Sequence, residues 1–387
     1  METVTKQANM LVLNEEQQLL QESARDFLKE KSPVSVFRAL RDSNNPLGYD
    51  EKIWQEMISI GWTGMLVPEN YGGLDFGHVG MGILMEESGR FLAPSPLFAT
   101  ALLGVTLLKE AGNEGQKSFL LPDMAEGKTT VSLALEEGNH HRPPYIQTTA
   151  QPEGDHFVIQ GQKKYVIEGQ NADQIIVAAR TSGNPGEENG ISLFIVPADT
   201  TGLSRKKTVM VDYRNYAELT FDGLKVPSDA LLGTLDQGFA PLQKTLDIAN
   251  IHLAAELSGL MQEAFERTIA YLKERKQFGV PIGSFQGLQH RAADLYCHIE
   301  MAQSVVLKAL MAIDQNADNL SLMASLAKGK VSETAQRVTN EAIQMFGGIG
   351  VTDDEEIGFF LKRARAVQQT FGDQSYHMDR FARLRGY

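Results

Sequence analysis

The segment RKQFGVPIGSFQ, Arg275 to Gln286, interrupts a long helical pattern with a polar, glycine-bearing corner. An arginine at a helix end presents a planar, permanently charged fork of donors suited to phosphate or carboxylate. Phe278 adds an aromatic face, Gly279 admits close backbone approach, and Pro281 redirects the chain. Gln286 and Gln289 then open the next helix with amide donors. Two readings fit these residues: a corner that binds a pyrophosphate, or a packed turn whose arginine caps its helix or meets Glu274. A second polar cluster, His140, His141 and Arg142, would contact a ligand or face solvent. Its histidines lack the Asp, Glu or Cys spacing of a metal site. Cys297, the single cysteine, lies in a helical run and reads as core filler. One cysteine allows no intramolecular disulfide, which fits a reducing compartment.

Residues 14–130 read mainly as helices. Asn14 with Gln17 three positions on forms a capping pattern, followed by Leu19, Leu20, Ala24, Phe27 and Leu28 at helical spacing. The glycines of GHVGMG let backbones approach, against another helix or along a ligand passage. Between about 130 and 235 the chain turns to short β-prone runs bounded by Gly, Pro, Asn or Asp, without alternating helices. This is a compact all-β unit and not a βαβ nucleotide fold. Four long helical runs follow. The first, 247–275, carries one stripe through Ile251, Ala254, Leu257, Met261, Phe265, Ile269 and Leu272. At helical rise it would be about 40 Å long. Short connections make a bundle the natural packing. The expected domains are a helical unit over 1–129, a β unit over 130–236 and a helical bundle over 237–387.

The chain has 387 residues, 42% of them apolar, and a formal net charge of -13. That sign opposes non-specific nucleic-acid binding, which needs Lys and Arg against phosphate. The N-terminus has no basic patch leading into an apolar run, and no apolar run is long enough to span a bilayer. A cytoplasmic protein is expected.

Together these segments resemble the acyl-CoA dehydrogenases, flavoproteins that desaturate acyl-CoA thioesters. YLKERKQFGVPIGSFQ is similar to their Y-x-x-x-R-x-x-F-G-x-x-I-x-x-F-Q signature, and QMFGGIGVTDD to Q-x-x-G-G-x-G-x-T. IQGQKKYVIEGQNAD resembles the middle segment G-x-K-x-W-I-T-N-G-x-x-A-D. AELTFDGLKVP and LVPENYGG resemble a V-x-F-x-x-V-x-V-P strand and a P-E-x-Y-G-G loop. The matches fall in order over residues 14 to about 377. The resemblance implies an N-terminal helical domain, a middle β-barrel and a C-terminal four-helix bundle. It implies FAD, with Arg275 on the pyrophosphate across a dimer interface and Phe278 and Gln286 near the adenine half. Gln344, Gly347 and Gly348 would border the same nucleotide from a neighbouring subunit, with Thr352 ending that segment. Tyr165 stands where the family has Trp, against the flavin ring, and Ile167 replaces a Thr. A homodimer or homotetramer is implied, with an electron-transfer flavoprotein as acceptor.

The implied reaction removes an α-proton from an acyl thioester with a carboxylate and passes a β-hydride to flavin N5. The family's usual glutamate position holds Phe371, and an alternative helix position holds Ala249. The carboxylates that remain nearby are Asp373 and Glu256, the latter also a candidate partner for Arg291. The A-G-S-D text that usually borders the flavin is absent at LALEEGNHHRPP, where Glu136 and Glu137 align with a Thr-Glu pair. The KRAR…FGD…H ending resembles a subgroup acting on bulky acyl-CoAs, including steroid side chains, some of them paired assemblies. Two alternatives therefore stand beside the dehydrogenase. One is a non-catalytic partner subunit of a heteromeric enzyme, and the other a flavoprotein with non-oxidative CoA-thioester chemistry.

Overall fold

The structure is a computed structural model describing residues 11–387. Helix α1 (Glu15–Lys31) begins at the expected capping box, Asn14 and Gln17 each bonding the other's backbone N–H. Helices α2 (Val34–Asp42), α3 (Glu51–Ser59) and α4 (His78–Arg90) follow. A π-helical stretch, Phe98–Gly104, then runs into α5 (Val105–Ala111), and α6 (Glu114–Ala125) completes the first layer. The glycines of α4 serve packing. A Cβ at Gly82 would meet the Leu310 side chain at 2.3 Å, and one at Gly89 would meet the Glu256 carbonyl oxygen at 2.0 Å.

The strands are β1 (Val131–Ala134), β2 (Thr149–Glu153), β3 (His156–Ile167), β4 (Gln174–Arg180), β5 (Ile191–Pro197), β6 (Leu203–Val209), β7 (Asn215–Pro227) and β8 (Leu231–Leu232). They form one mixed sheet in the order β6-β7-β3-β2-β4-β5-β8, with β1 also on β4. The expected barrel is corrected here: among the described residues no pairing joins β6 to β8, so the sheet stays open. Two parallel pairings, β1 and β2 onto β4, replace an up-and-down circuit, and β2 meets β4 at one residue pair only. Two register shifts in β3 against β7 bend the sheet without closing it. Phe157, Ile159, Val177, Phe194 and Phe221 fill a core of the sheet's own.

Helix α7 (Phe239–Glu274) is 36 residues long, starting earlier than the apolar stripe alone suggests. It packs with α8 (Gln286–Asp314) and α9 (Leu320–Phe346). The expected fourth run is two helices, α10 (Ile357–Gln369) and α11 (Gln374–Leu384). Phe371 and Gly372 at positive φ make the break, and Asp373 caps α11 by accepting from the Tyr376 N–H at 2.8 Å. Lys328 of α9, fully buried, donates to the carbonyls of Thr370 at 2.7 Å and Gly372 at 2.9 Å. It thereby satisfies backbone that α10 leaves open. Burial pushes its ammonium down to about 7, with Asp373 opposing.

Cys297 is exposed on α8, not buried as expected, beside exposed Tyr296 and Met301. That apolar face lies on the outside of the bundle, where the helical period alone does not separate an outer apolar face from a core one. No helix among the described residues is long and apolar enough to cross a membrane.

The α4–α7 contact is backbone against backbone, because a Cβ at Gly259 would stand 1.7 Å from the Glu86 carbonyl oxygen. Gly259→Ala is expected to destabilise the protein by about 1–3 kcal/mol or more, as overpacking does. Gly358→Ala, which meets only ordinary contact distance at 3.8 Å, is expected to be neutral. Thermal melting of the two variants checks the contrast.

Candidate active site

A cleft of about 290 Å³ opens where the sheet meets α10 and the break before α11. Glu136, Asn139, His141, Tyr165, Thr370 and Phe371 line it. Tyr165 sits at the second register shift of β3, at φ +52°, and its hydroxyl donates to Asn139 Oδ1 at 3.1 Å. Beneath it, fully buried Lys163 donates to the Leu135 carbonyl at 3.0 Å and Glu137 Oε1 at 2.7 Å. Burial pushes Lys163 down while Glu137 opposes. Burial would raise Glu137, but Lys163 and the Thr148 N–H outweigh it and hold its carboxyl below the usual range. The loop between β1 and β2 is thus stitched onto β3. On the same loop His141 Nδ1 lies 2.5 Å from Glu136 Oε1, with the His141 side chain 4% exposed. Its ring meets Tyr376 edge-on at 4.9 Å and stands 6.1 Å from that of Phe371.

Behind the cleft lies a buried ionic network. Asp212 and Arg214 come from the β6–β7 connection, Glu256 from α7 and Arg363 from α10. Arg363 Nε stands 2.9 Å from Asp212 Oδ2 and its Nη1 3.5 Å from Glu256 Oε1. Arg214 also pairs with Glu256. Burial lowers Arg363, with the Arg214 cation adding to that effect. Burial works against Arg214 as well, but Glu256 and its other neighbours outweigh it and raise its pKa. Glu168, next to these arginines, is pushed up to about 8 by burial despite their opposition. A second cavity of only about 20 Å³ touches Phe98, Ile167, Glu168, Arg214 and Glu256. That is room for one water.

Asp373 is engaged as the cap of α11, and Glu256 is held by Arg214 and Arg363, while Arg291 pairs instead with Glu341 at 2.6 Å. Tyr165 lines the cleft, and Ile167 is buried in the wall of the smaller cavity. The remaining candidates lie at one end of the bundle, where Tyr271 stacks on Phe346 at 4.3 Å. There Arg275 opens a two-stranded hairpin, β9 (Lys276–Gln277) with β10 (Val280–Pro281). Its tip, Phe278 and Gly279, has positive φ at both positions, and Phe278 is 93% exposed. Gln286, Gln344, Gly347, Gly348 and Thr352 are exposed at the same end, Thr352 donating to the Ile349 carbonyl at 2.7 Å. The residues that composition and spacing left unremarked are Asp212, Arg214, Glu168 and Lys328. The one sequence signal for that network is a charged Glu256 inside the small, apolar run LAAELSG.

These features fit a flavin dinucleotide. Tyr165 turns an aromatic side chain to the cleft, and Arg275 has no ion-pair partner among the described residues. A Cβ at Gly348 would meet nothing and no packing within one chain accounts for that glycine, whereas Gly279 and Gly347 are required by their positive φ. The two-residue hairpin turn itself requires positive φ at Phe278 and Gly279, and it leaves the Phe278 ring in solvent, open to a group from outside the chain.

Profiles described as the N-terminal, middle and C-terminal domains of acyl-CoA dehydrogenase match residues 14–128, 133–224 and 236–384. The chain is 34% identical to "Probable acyl-CoA dehydrogenase YngJ" of Bacillus subtilis, over 92% of this chain and 94% of that one. It is 32% identical to cyclohex-1-ene-1-carbonyl-CoA dehydrogenase of Syntrophus aciditrophicus, over 95% and 89%. The structure of butyryl-CoA dehydrogenase from Megasphaera elsdenii superposes with a TM-score of 0.90 at 28% identity, covering 97% of this chain and 99% of that one.

Glu168 gives the site a readable pH signature. An unfolded glutamate releases its proton near pH 4.3, whereas the folded chain holds it until about 8. Its contribution to stability is complete below the ordinary carboxylate range and is lost as pH rises through about 8. Glu168→Gln, which cannot ionise, is therefore expected to gain thermal stability over the parent protein steadily from pH 5 to about 9. A difference that stays constant with pH would show that Glu168 is already ionised in the fold.

Proposed function

The chain belongs to the acyl-CoA dehydrogenase family, a flavoprotein family, and on that premise we propose that it carries out FAD-dependent α,β-dehydrogenation of an acyl-CoA thioester. The observation that carries this reading is the aromatic cleft at Tyr165, on a chain that separately exposes the Arg275–Phe278 hairpin. When bound, FAD supplies the hydride acceptor. Tyr165 offers the ring an aromatic face, and the Arg275 fork suits the pyrophosphate. Phe278 and Gln286 suit the adenine half, and backbone amides near Gln344, Gly347 and Gly348, with Thr352, suit the same nucleotide from a neighbouring copy. The outer apolar face of α8 supports a dimer or a dimer of dimers. An electron-transfer flavoprotein is the proposed acceptor, and the cytoplasm the proposed compartment.

For the thioester, the chain must hold the carbonyl against donors and place a base at the α-carbon. Asp373 or Glu256 could act only by leaving its present partners. A second reading, the non-catalytic subunit of a paired enzyme, is favoured by a specific observation. Phe371 fills the usual base position, and beside the arginines only about 20 Å³ of space remains.

The purified chain is expected to show flavin absorbance that bleaches anaerobically with one of a panel of short, branched and steroid-like acyl-CoAs. Arg275→Met is expected to weaken FAD retention about 10- to 100-fold, the loss of a charged hydrogen bond or two. A colourless protein that gains flavin only with a second chain would favour the paired reading. Flavin that no thioester bleaches would favour non-oxidative chemistry.

A further inference from the structure

We propose that His141, oriented by Glu136, is the base that takes the α-proton of the bound thioester. This rests on the acyl-thioester reading above. Phe371, an apolar ring, occupies the place where the resemblance puts a glutamate, and the two nearby carboxylates are a helix cap and the partner of two arginines. His141 stands on the same cleft wall, its ring 6.1 Å from that of Phe371. Its orientation is fixed on three sides. Glu136 takes Nδ1 at 2.5 Å, Tyr376 meets the ring edge at 4.9 Å, and Phe371 lies beyond. With Nδ1 held by a carboxylate, the tautomer is set so that the lone pair is on Nε2. Nε2 has no hydrogen-bond partner among the described residues.

The step balances within the site. The α C–H bond breaks and its proton goes to Nε2. The electron pair stays on the substrate as the enolate of the thioester. The imidazolium that forms is countered by Glu136, so the net charge of base pair and substrate together does not change. A carboxylate partner that orients an imidazole and stabilises its cation is the arrangement general-base histidines use, and Glu136 is partly buried in that position. The loop that departs from the family pattern, LALEEGNHHRPP, supplies both members of the pair. The departure and the missing glutamate then become a single change.

The test separates proton removal from oxidation. The holoenzyme is incubated in deuterium oxide with 3-thia acyl-CoA analogues, in which sulfur replaces the β-methylene so that no hydride can leave. Deuterium at the α-carbon is read by mass spectrometry. The parent protein is expected to exchange the α-proton. His141→Asn is expected to exchange at least about 100-fold more slowly, and Glu136→Gln about 10-fold more slowly, both with unchanged flavin absorbance and analogue binding. If His141→Asn loses its flavin through misfolding, Glu136→Gln decides. A crystal structure of the analogue complex is expected to place Nε2 within about 3.5 Å of the α-carbon. Exchange at the parent rate in either variant, a parent protein that never exchanges, or an α-carbon beyond reach of Nε2 would overturn the proposal. Bleaching by oxidisable thioesters is read separately. A protein that exchanges but never bleaches refutes the dehydrogenase reading and leaves His141 as base. One that bleaches equally well as His141→Asn refutes His141 alone.

Discussion

The guanidinium of Arg363, fully buried on α10, joins the sheet to the helical bundle. Taking such a cation out of water costs several kcal/mol unless its surroundings return it in paired charge. Here the return comes from two directions, Asp212 in the β6–β7 connection and Glu256 on α7. Arg214 shares Glu256, so two cations and two carboxylates close on one another. These charges meet where the sheet docks on the helices, alongside apolar contacts that include Ile167, Ile176 and Tyr216. The cleft lies along that junction, between β3 and the break that separates α10 from α11.

Two other buried cations hold the remaining walls. Lys328 ties the carbonyls of the α10–α11 break to α9, and Lys163 ties the β1–β2 loop to β3. Each is a point charge set among backbone carbonyls or a single carboxylate, with burial pushing its pKa down. The site is therefore positioned by buried charge at its back and floor, and lined by Tyr165, Phe371 and His141 at its mouth. A thioester entering it would meet aromatic faces and the imidazoles of His140 and His141, with the arginines already committed to carboxylates.

Much of the architecture was legible in the sequence. The capping box at Asn14, the α7 stripe and the β-prone middle all follow from local chemistry that acts within a few residues. The closure of the sheet was not, because whether β6 reaches β8 depends on the non-local pairing of β1 and β2 with β4. The split of the last helical run is visible only in part. Gly372 hints at it, but Phe371 at positive φ is imposed by its surroundings. In the site, the Arg275 corner declared itself through its density of special residues. His141 did not, since a histidine in a polar loop looks the same whether it faces water or a cleft. Asp212, Arg214, Glu256 and Arg363 span more than a hundred residues of chain, and no spacing rule links them.

If buried charge sets the docking of sheet on bundle, Asp212 in the β6–β7 connection and Arg363 on α10 must be energetically coupled. A double-mutant cycle with Asp212→Asn, Arg363→Met and the pair, followed by thermal or denaturant melting, measures that coupling. The expected result is a large loss for Arg363→Met, about 3–5 kcal/mol, and an interaction energy of about 1–3 kcal/mol between the two sites. Losses that simply add, within about 0.5 kcal/mol, would show that apolar packing, and not this network, sets the junction on which the cleft is built.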